Sequence, residues 1–499
     1  MYKTLLTSLA FICFFICCIT RSNAQERFQA DWNSLKKYQT PEWFRDAKFG
    51  IFIHWGVYSV PAYKYEWYPR HMYREGSDEY KHQVATYGPE NKFGYKDFIP
   101  MFKAEKFNAD AWVALFKKAG AKYVVPVAEH HDGFAMYKTA LSKWNAAEMG
   151  PKRDIIGELA AAIRKNGLIF GLSSHRIEHW WFMGEGTKFN SDVRDPDFAD
   201  FYGPAKVYDP FSKSPDNVRP IMSTEFMNDW LMRNIELTDK YKPQLFWFDW
   251  WIEQPELEPY RKSFASYYYN KGIEWNKGVV LNYKNDVAFP EGTAVFDMER
   301  GKLDGIHKLP WQTDDAIGNT SWGYANGNTF KTAQYVITNL IDIVSKNGNL
   351  LLNIGPRPDG SITDEETQVL LGTGKWLKVN GEAIYGTRPW KVYGEGPTRS
   401  ASGQFVDQKI PFSSKDIRFT VKGDKLYAIT LGLPAPGETV SITSLGSDTG
   451  NGTVAGVELL GSNVKVKWKQ NKNALIINNS AVYPTQNAAA FKITFKVLK

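Results

Sequence analysis

Short runs of apolar residues, too continuous to be one-sided, recur from about residue 45 to residue 355, and helical patterns fill the intervals. They are Phe49–Trp55, Tyr123–Ala128, Ile169–Ser174, Leu245–Trp250, Val279–Tyr283, Ala294–Met298 and Leu350–Ile354. A strand apolar on both sides belongs inside a parallel sheet covered on both faces. Between the runs, Asn108 and Asp154 stand where N-caps belong, ahead of Asp110–Ala119 and Ile155–Lys165, and Gly120 and Gly167 follow. Met222–Tyr241 and Thr332–Lys346 repeat their apolar residues near every 3.6 positions. Strand and helix in alternation predict an α/β fold, and the size suits an irregular (β/α)8 TIM-like barrel. A doubly wound open sheet is the alternative, but no glycine-rich phosphate loop marks one.

After Pro389-Trp390 the texture changes. Ile417–Val421, Leu426–Leu431, Thr439–Ile442, Val464–Lys467 and Ala490–Val497 are short, often alternate, and are parted by Gly, Asn and Ser clusters. They predict a small, non-catalytic antiparallel β-sandwich at the C-terminus. Residues 1–24 read as a signal peptide: Lys3 is the basic start, Leu5 to Ile19 the apolar run, and Ser22-Asn23-Ala24 the cleavage site. The expected division is therefore 1–24 signal peptide, 25–389 catalytic domain and 390–499 sandwich.

The apolar run of that segment is short for a membrane span, and no later stretch is long and apolar enough to make one. An exported protein, periplasmic rather than secreted, is expected. Ile16 and Cys17 precede Cys17 and Cys18 where a lipid anchor would want a small residue. All three cysteines fall in this segment, so the mature chain has no disulfide, thiolate nucleophile or Cys-ligated metal. Removing Lys3 and Arg21 lowers the net charge of +7 by two, and no Lys/Arg block of the nucleic-acid-binding kind is present. A neutral partner fits this balance.

One strand carries an anomaly. Leu245-Phe246-Trp247-Phe248-Asp249-Trp250-Trp251 sets a single carboxylate among six large apolar or aromatic side chains. A charge there is costly unless it is paired or has a task. It is either a structural Asp capping a loop or part of a sugar site, where flat aromatic faces hold the ring and an acid does the chemistry. The 18 Trp, 26 Tyr and 31 Phe suit carbohydrate handling, although they also fill cores.

Barrel chemistry sits at the C-terminal ends of strands, and those ends repeat acids, imidazoles and indoles. They are His54-Trp55 with Glu66-Trp67 behind; Glu129-His130-His131-Asp132; Ser173-Ser174-His175 with Glu178-His179; Asp249; and Asp297-Met298-Glu299-Arg300. His130-His131 could hold a metal, but neighbours on an extended segment point opposite ways, so one ion would take only one of them. With no Cys and no HExxH, neither metal nor cofactor is expected. Glycoside hydrolysis needs two carboxylates; Asp249 and Glu299 make the best pair, with Glu66, Glu129, Glu178 and Glu291 competing for the second role. A sugar-binding protein without catalysis and a metal-dependent hydrolase at His130-His131 are the other classes considered.

At these residues the chain resembles the α-L-fucosidases of glycoside hydrolase family 29, from about Trp43 to Trp390. The likeness is carried by Ala47-Lys48-Phe49-Gly50-Ile51-Phe52-Ile53-His54-Trp55-Gly56, Glu66-Trp67-Tyr68 and His130-His131-Asp132-Gly133-Phe134-Ala135-Met136. It continues in Gly150-Pro151-Lys152-Arg153-Asp154, Trp247-Phe248-Asp249 and Ser321-Trp322-Gly323-Tyr324. The most specific run is Val344 to Pro356, which reads VSKNGNLLLNIGP. The resemblance implies exo-acting, retaining hydrolysis of terminal α-L-fucose from oligosaccharides or glycoconjugates. It implies Asp249 as nucleophile and Glu299 as general acid/base, with Glu291 as runner-up. It implies sugar contacts at His54, Glu66, Trp67, His130, His131 and Trp247, with Trp322 near the sugar's methyl group. Two departures stand out. The third strand ends Ser173-Ser174-His175 where the family often has Tyr-Tyr-Ser, so His175 is expected to take over a sugar contact. A common Arg after the fifth strand is replaced near Asn282-Tyr283-Lys284.

Overall fold

The computed structural model describes residues 27–284, 287–407, 410–435, 437–478 and 482–496; the expected signal peptide lies outside them. Eight parallel strands close into a barrel: β1 Phe49–Ile53, β2 Tyr123–Glu129, β3 Ile169–Ser174, β4 Leu245–Phe248, β5 Val280–Tyr283, β6 Val295–Glu299, β7 Trp311–Ala316 and β8 Gly348–Ile354. Each pairs with the next, and β8 returns to β1, with Phe49 opposite Leu350 and Ile53 opposite Ile354. The barrel is packed, not hollow. Phe52, Tyr123, Val125, Val127, Leu245, Trp247, Val280, Val295 and Leu351 form its interior cluster. Gly50 is required there, because a Cβ on it would stand 2.4 Å from the Tyr123 ring.

Seven of these strands coincide with the apolar runs, and β7 does not. It reads Trp-Gln-Thr-Asp-Asp-Ala, yet all six residues are buried. Period-two alternation explains it. Gln312 points inward and accepts from Tyr123 Oη at 2.7 Å, and Asp314 points inward at Lys284. Asp315 points outward and accepts from Tyr335 Oη at 2.8 Å and Asn339 Nδ2 at 3.1 Å. Polar partners on both faces erased the apolar signature.

The caps act as the sequence indicates. Asn108 Oδ1 accepts from Ala111 N–H ahead of helix Ala109–Ala119, and Gly120 closes it at φ +94°. Asp154 caps Ile155–Lys165 through Gly157 N–H. The two longer expected helices begin slightly later, at Thr224 after Ser223 and at Ala333 after Thr332, because those side chains accept from the first turn. Helices Glu258–Glu274 and Asp364–Asn380 add to the outer layer.

Beyond the barrel, β9 Arg388–Glu395, β10 Ile417–Lys422, β11 Lys425–Thr430, β13 Val454–Leu459 and β16 Ala489–Phe495 form a five-stranded sheet in the order β13-β16-β11-β10-β9. β12 Thr439–Ile442, β14 Lys467–Gln470 and β15 Leu475–Asn478 form a three-stranded one. Phe419, Leu426, Phe491 and Ile493 from the first share a core with Val440, Ile442, Leu475 and Ile477 from the second. The strand expected at 464–467 lies a few residues later, and β9, β13 and β15 were not marked by alternation. Arg418 Nε donates to Asp342 Oδ1 at 2.6 Å, fixing this unit to the helix before β8. No described helix is long and apolar enough to cross a membrane.

Candidate active site

The C-terminal ends of the barrel strands surround a cavity of about 480 Å³. All ten residues singled out from the sequence line it: Asp249 and Glu299, and His54, Glu66, Trp67, His130, His131, His175, Trp247 and Trp322. Of the competing carboxylates, Glu178 also lines it. Glu291 is exposed in the loop before β6, and Glu129 turns away to pair with Arg176 and Arg233. His130 and His131 both face the cavity, with ring centroids 4.3 Å apart. The strict alternation of an extended segment does not apply to them, because β2 ends at Glu129 and the chain turns at this point.

Asp249 is the first residue beyond β4 and is only 8% exposed. His175 Nδ1 donates to its Oδ2 at 2.8 Å, and Ser173 Oγ lies 2.9 Å from His175 Nε2. Nδ1 as donor and Nε2 as acceptor is the tautomer that satisfies both contacts. Both nitrogens of His175 are thereby engaged, so its contact here is with the carboxylate. His131 Nε2 stands 3.4 Å from the same oxygen, while its Nδ1 faces the His175 carbonyl at 2.9 Å. Lys284 Nζ lies 3.7 Å from Asp249 Oδ1. Burial alone would raise this carboxyl, but the Lys284 ammonium and the hydrogen bond from His175 hold it well below the usual carboxylate range.

Glu299 ends β6. Its Oε2 accepts from Trp250 Nε1 at 2.6 Å and faces Lys284 Nζ, also at 2.6 Å. Lys284 is the hub of the floor: Asp314 Oδ2 is 3.0 Å away, and the ammonium lies 4.9 Å from the centre of the Trp247 ring. Burial opposes its charge, but the Asp314, Glu299 and Asp249 carboxylates hold it well above the ordinary lysine range. Asp314 is pushed far up by burial and by neighbouring Asp297, while the Lys284 ammonium pulls it back down. Lys284 thus sits between Asp249 and Glu299 in the floor of the cavity.

Neutral imidazoles line the cavity beside Asp249. Burial pushes His54 and His130 well below the usual histidine range, and His131 down to about 3. His54 Nδ1 faces Asn353 Oδ1 at 2.7 Å, which leaves Nε2 for a ligand. His130 Nδ1 is buried with no hydrogen-bond partner among the described residues. Glu66 Oε2 accepts from Ser321 Oγ at 3.0 Å and Trp322 N–H at 2.9 Å, tying the first loop to the Trp322 wall. Trp67 packs edge-on against His131 at 5.5 Å. Imidazoles, aromatic faces and several carboxyls, Asp249 and Glu299 among them, form a surface for a polyhydroxylated ring.

Lys284, Asp314 and Trp250 belong to the floor and were not among the expected site residues. A Lys directly after the buried strand β5 is a readable signal, and so is an aromatic neighbour of the anomalous Asp249. Asp314 went with the unrecognised β7. Donor atoms of His54, His130 and His175, and of His131, His175 and Asp249, lie within 4.8 Å of one another and could geometrically hold an ion. His175 has both nitrogens engaged, so neither trio offers three free ligand atoms.

Comparison with known proteins agrees with this geometry. Residues 15–382 match the family description "Alpha-L-fucosidase", and residues 411–497 match "Alpha-L-fucosidase C-terminal domain". Human tissue alpha-L-fucosidase is 32% identical over 485 residues, covering 96% of this chain and 93% of that protein. The crystal structure of Thermotoga maritima alpha-fucosidase is 31% identical with a TM-score of 0.72, covering 93% of this chain and all of that one. The same enzyme in complex with fucose gives 30% and 0.73. The chain thus belongs to the α-L-fucosidase family and is a glycoside hydrolase.

Proposed function

We propose that this fucosidase is exo-acting and retaining, with Asp249 as nucleophile and Glu299 as general acid/base. The observation that carries the reading is the position of Lys284. Its ammonium is 3.7 Å from Asp249 Oδ1 and 2.6 Å from Glu299 Oε2, and the two legs together are shorter than the ~6.5 Å at which the inverting range begins. Inversion would need room for a water between the carboxyls; double displacement does not.

Asp249 attacks the anomeric carbon of a terminal α-L-fucose while Glu299 gives its proton to the leaving oxygen. Glu299 then takes a proton from the water that breaks the fucosyl–Asp249 ester, and fucose leaves with its configuration retained. Asp249 suits the first role because its surroundings keep it ionised. His175 orients it through Nδ1, and Lys284 and Trp250 fix Glu299. His54, Glu66, Trp67, His130, His131 and Trp247 are assigned to the sugar, and Trp322 to the methyl. The substrate is a fucosylated oligosaccharide or glycoconjugate, and residues 1–24 support export to the periplasm.

Proton NMR of the first turnovers tests the mechanism: the α-anomer of fucose is expected before mutarotation, and initial release of the β-anomer would rule it out.

A further inference from the structure

The connection between barrel and sandwich returns to the mouth of the cavity. Gly403 and Lys302 exchange two backbone hydrogen bonds, at 2.8 and 3.0 Å. Phe405 N–H donates to the Glu299 carbonyl and Val406 N–H to the Arg300 carbonyl, each at 2.9 Å. Between them the Gln404 side chain accepts from Glu299 N–H at 2.8 Å and donates to the Lys284 carbonyl at 3.2 Å. This strip is stitched to the segment that carries Glu299 and reaches across to Lys284. Phe405 lines the cavity and is nevertheless 58% exposed. Its φ is +56°, a left-handed conformation that disfavours a bulky residue. A large apolar ring held partly in water by a strained backbone is not explained by core packing, and such strain concentrates at functional sites.

We infer that Phe405 is the platform for the saccharide on the leaving-group side of the scissile bond, the neutral pyranose to which fucose is attached. The inference rests on Glu299 being the acid/base. The leaving oxygen must come within hydrogen-bond reach of that carboxyl, so the ring it belongs to lies against what flanks Glu299. Trp250 is committed to the carboxylate through its indole N–H. Phe405 is anchored to the Glu299 backbone and presents an open apolar face, which a C–H-rich pyranose face covers without losing a hydrogen bond. Preference among leaving-group sugars then depends on a residue supplied from outside the barrel strands.

The test compares kcat/KM on a fucosylated disaccharide with that on α-L-fucosyl fluoride, whose leaving group has no ring. For Phe405→Ala the ratio of disaccharide to fluoride activity should fall about ten-fold or more, and Phe405→Trp should restore it to within about three-fold of the parent. A ratio unchanged in Phe405→Ala, or an equal loss on both substrates, overturns the inference. Glu299→Gln serves as the control for the underlying reading. If it cleaves the disaccharide as fast as the parent, the acid/base assignment fails, and the Phe405 inference fails with it, whatever the Phe405 variants do.

Discussion

Lys284 Nζ stands 2.6 Å from Glu299 Oε2 while also reaching Asp249 Oδ1 at 3.7 Å. Without it, the proposed nucleophile and acid/base would face each other with no compensating charge. Lys284→Met should lower kcat/KM on the order of 100-fold, the scale seen when one charge-stabilising group is removed from an active site. The sign of the pH effect follows from Asp249. Losing the cation removes a force that holds its carboxyl low, so its pKa rises and the acid limb of the kcat/KM profile moves to higher pH. Lys284→Arg should recover most of the rate. An acid limb that stays in place in Lys284→Met would contradict the electrostatic role.

His175 distinguishes orientation of Asp249 from direct sugar contact. Its hydrogen bond to Asp249 Oδ2 at 2.8 Å is charge-assisted, worth about 1.5–3 kcal/mol. His175→Phe should reduce kcat by roughly 10- to 100-fold with KM within about three-fold. A raised KM with kcat preserved would instead place His175 on the sugar.

Asp132 carries a pH signature in stability. Tyr95 Oη donates to it at 2.6 Å and Phe134 N–H at 3.1 Å, yet burial pushes its carboxyl up to about 7, above the ~3.9 of an unfolded chain. Between those values the folded protein holds a proton that the unfolded chain does not. Its stabilising contribution is full below about 4 and is lost as the pH rises through 7. Asp132→Asn keeps a neutral side chain, so its melting temperature relative to the parent should be higher at pH 8 than at pH 5. An identical difference at both pH values would refute this.

Chelation separates a metal-dependent hydrolase from a carboxylate pair. Because His175 Nδ1 and Nε2 are engaged with Asp249 and Ser173, prolonged EDTA treatment followed by desalting should leave kcat/KM unchanged. Loss of activity that zinc restores would point to the imidazole trios instead.

Much of this was legible in the sequence because burial leaves a pattern. Strands covered on both faces wrote themselves as apolar runs, and Asn108 and Asp154 cap helices as their positions indicate. The carboxylates, imidazoles and indoles at the strand ends converge on one cavity because parallel strands in a barrel end on one face. What escaped is polar and buried. Trp311–Ala316 carries two acids and a glutamine because its partners, Tyr123, Lys284, Tyr335 and Asn339, are polar on both faces. With it went Asp314 and the central place of Lys284. Phe405 escaped for another reason: it reaches the site through a connection over a hundred residues after Glu299, and no periodicity reports a long-range backbone pairing.

The assignment of Asp249 as nucleophile is tested most directly by removing its carboxylate and supplying a substitute. Asp249→Gly should lose activity by several orders of magnitude, roughly the loss expected when a nucleophile is deleted. Added azide should restore turnover and yield β-fucosyl azide, formed by attack from the face Asp249 occupied. An Asp249→Gly variant that still hydrolyses fucosides near the parent rate, or that azide leaves inactive while Glu299→Gly is rescued to the β-azide, would contradict the account.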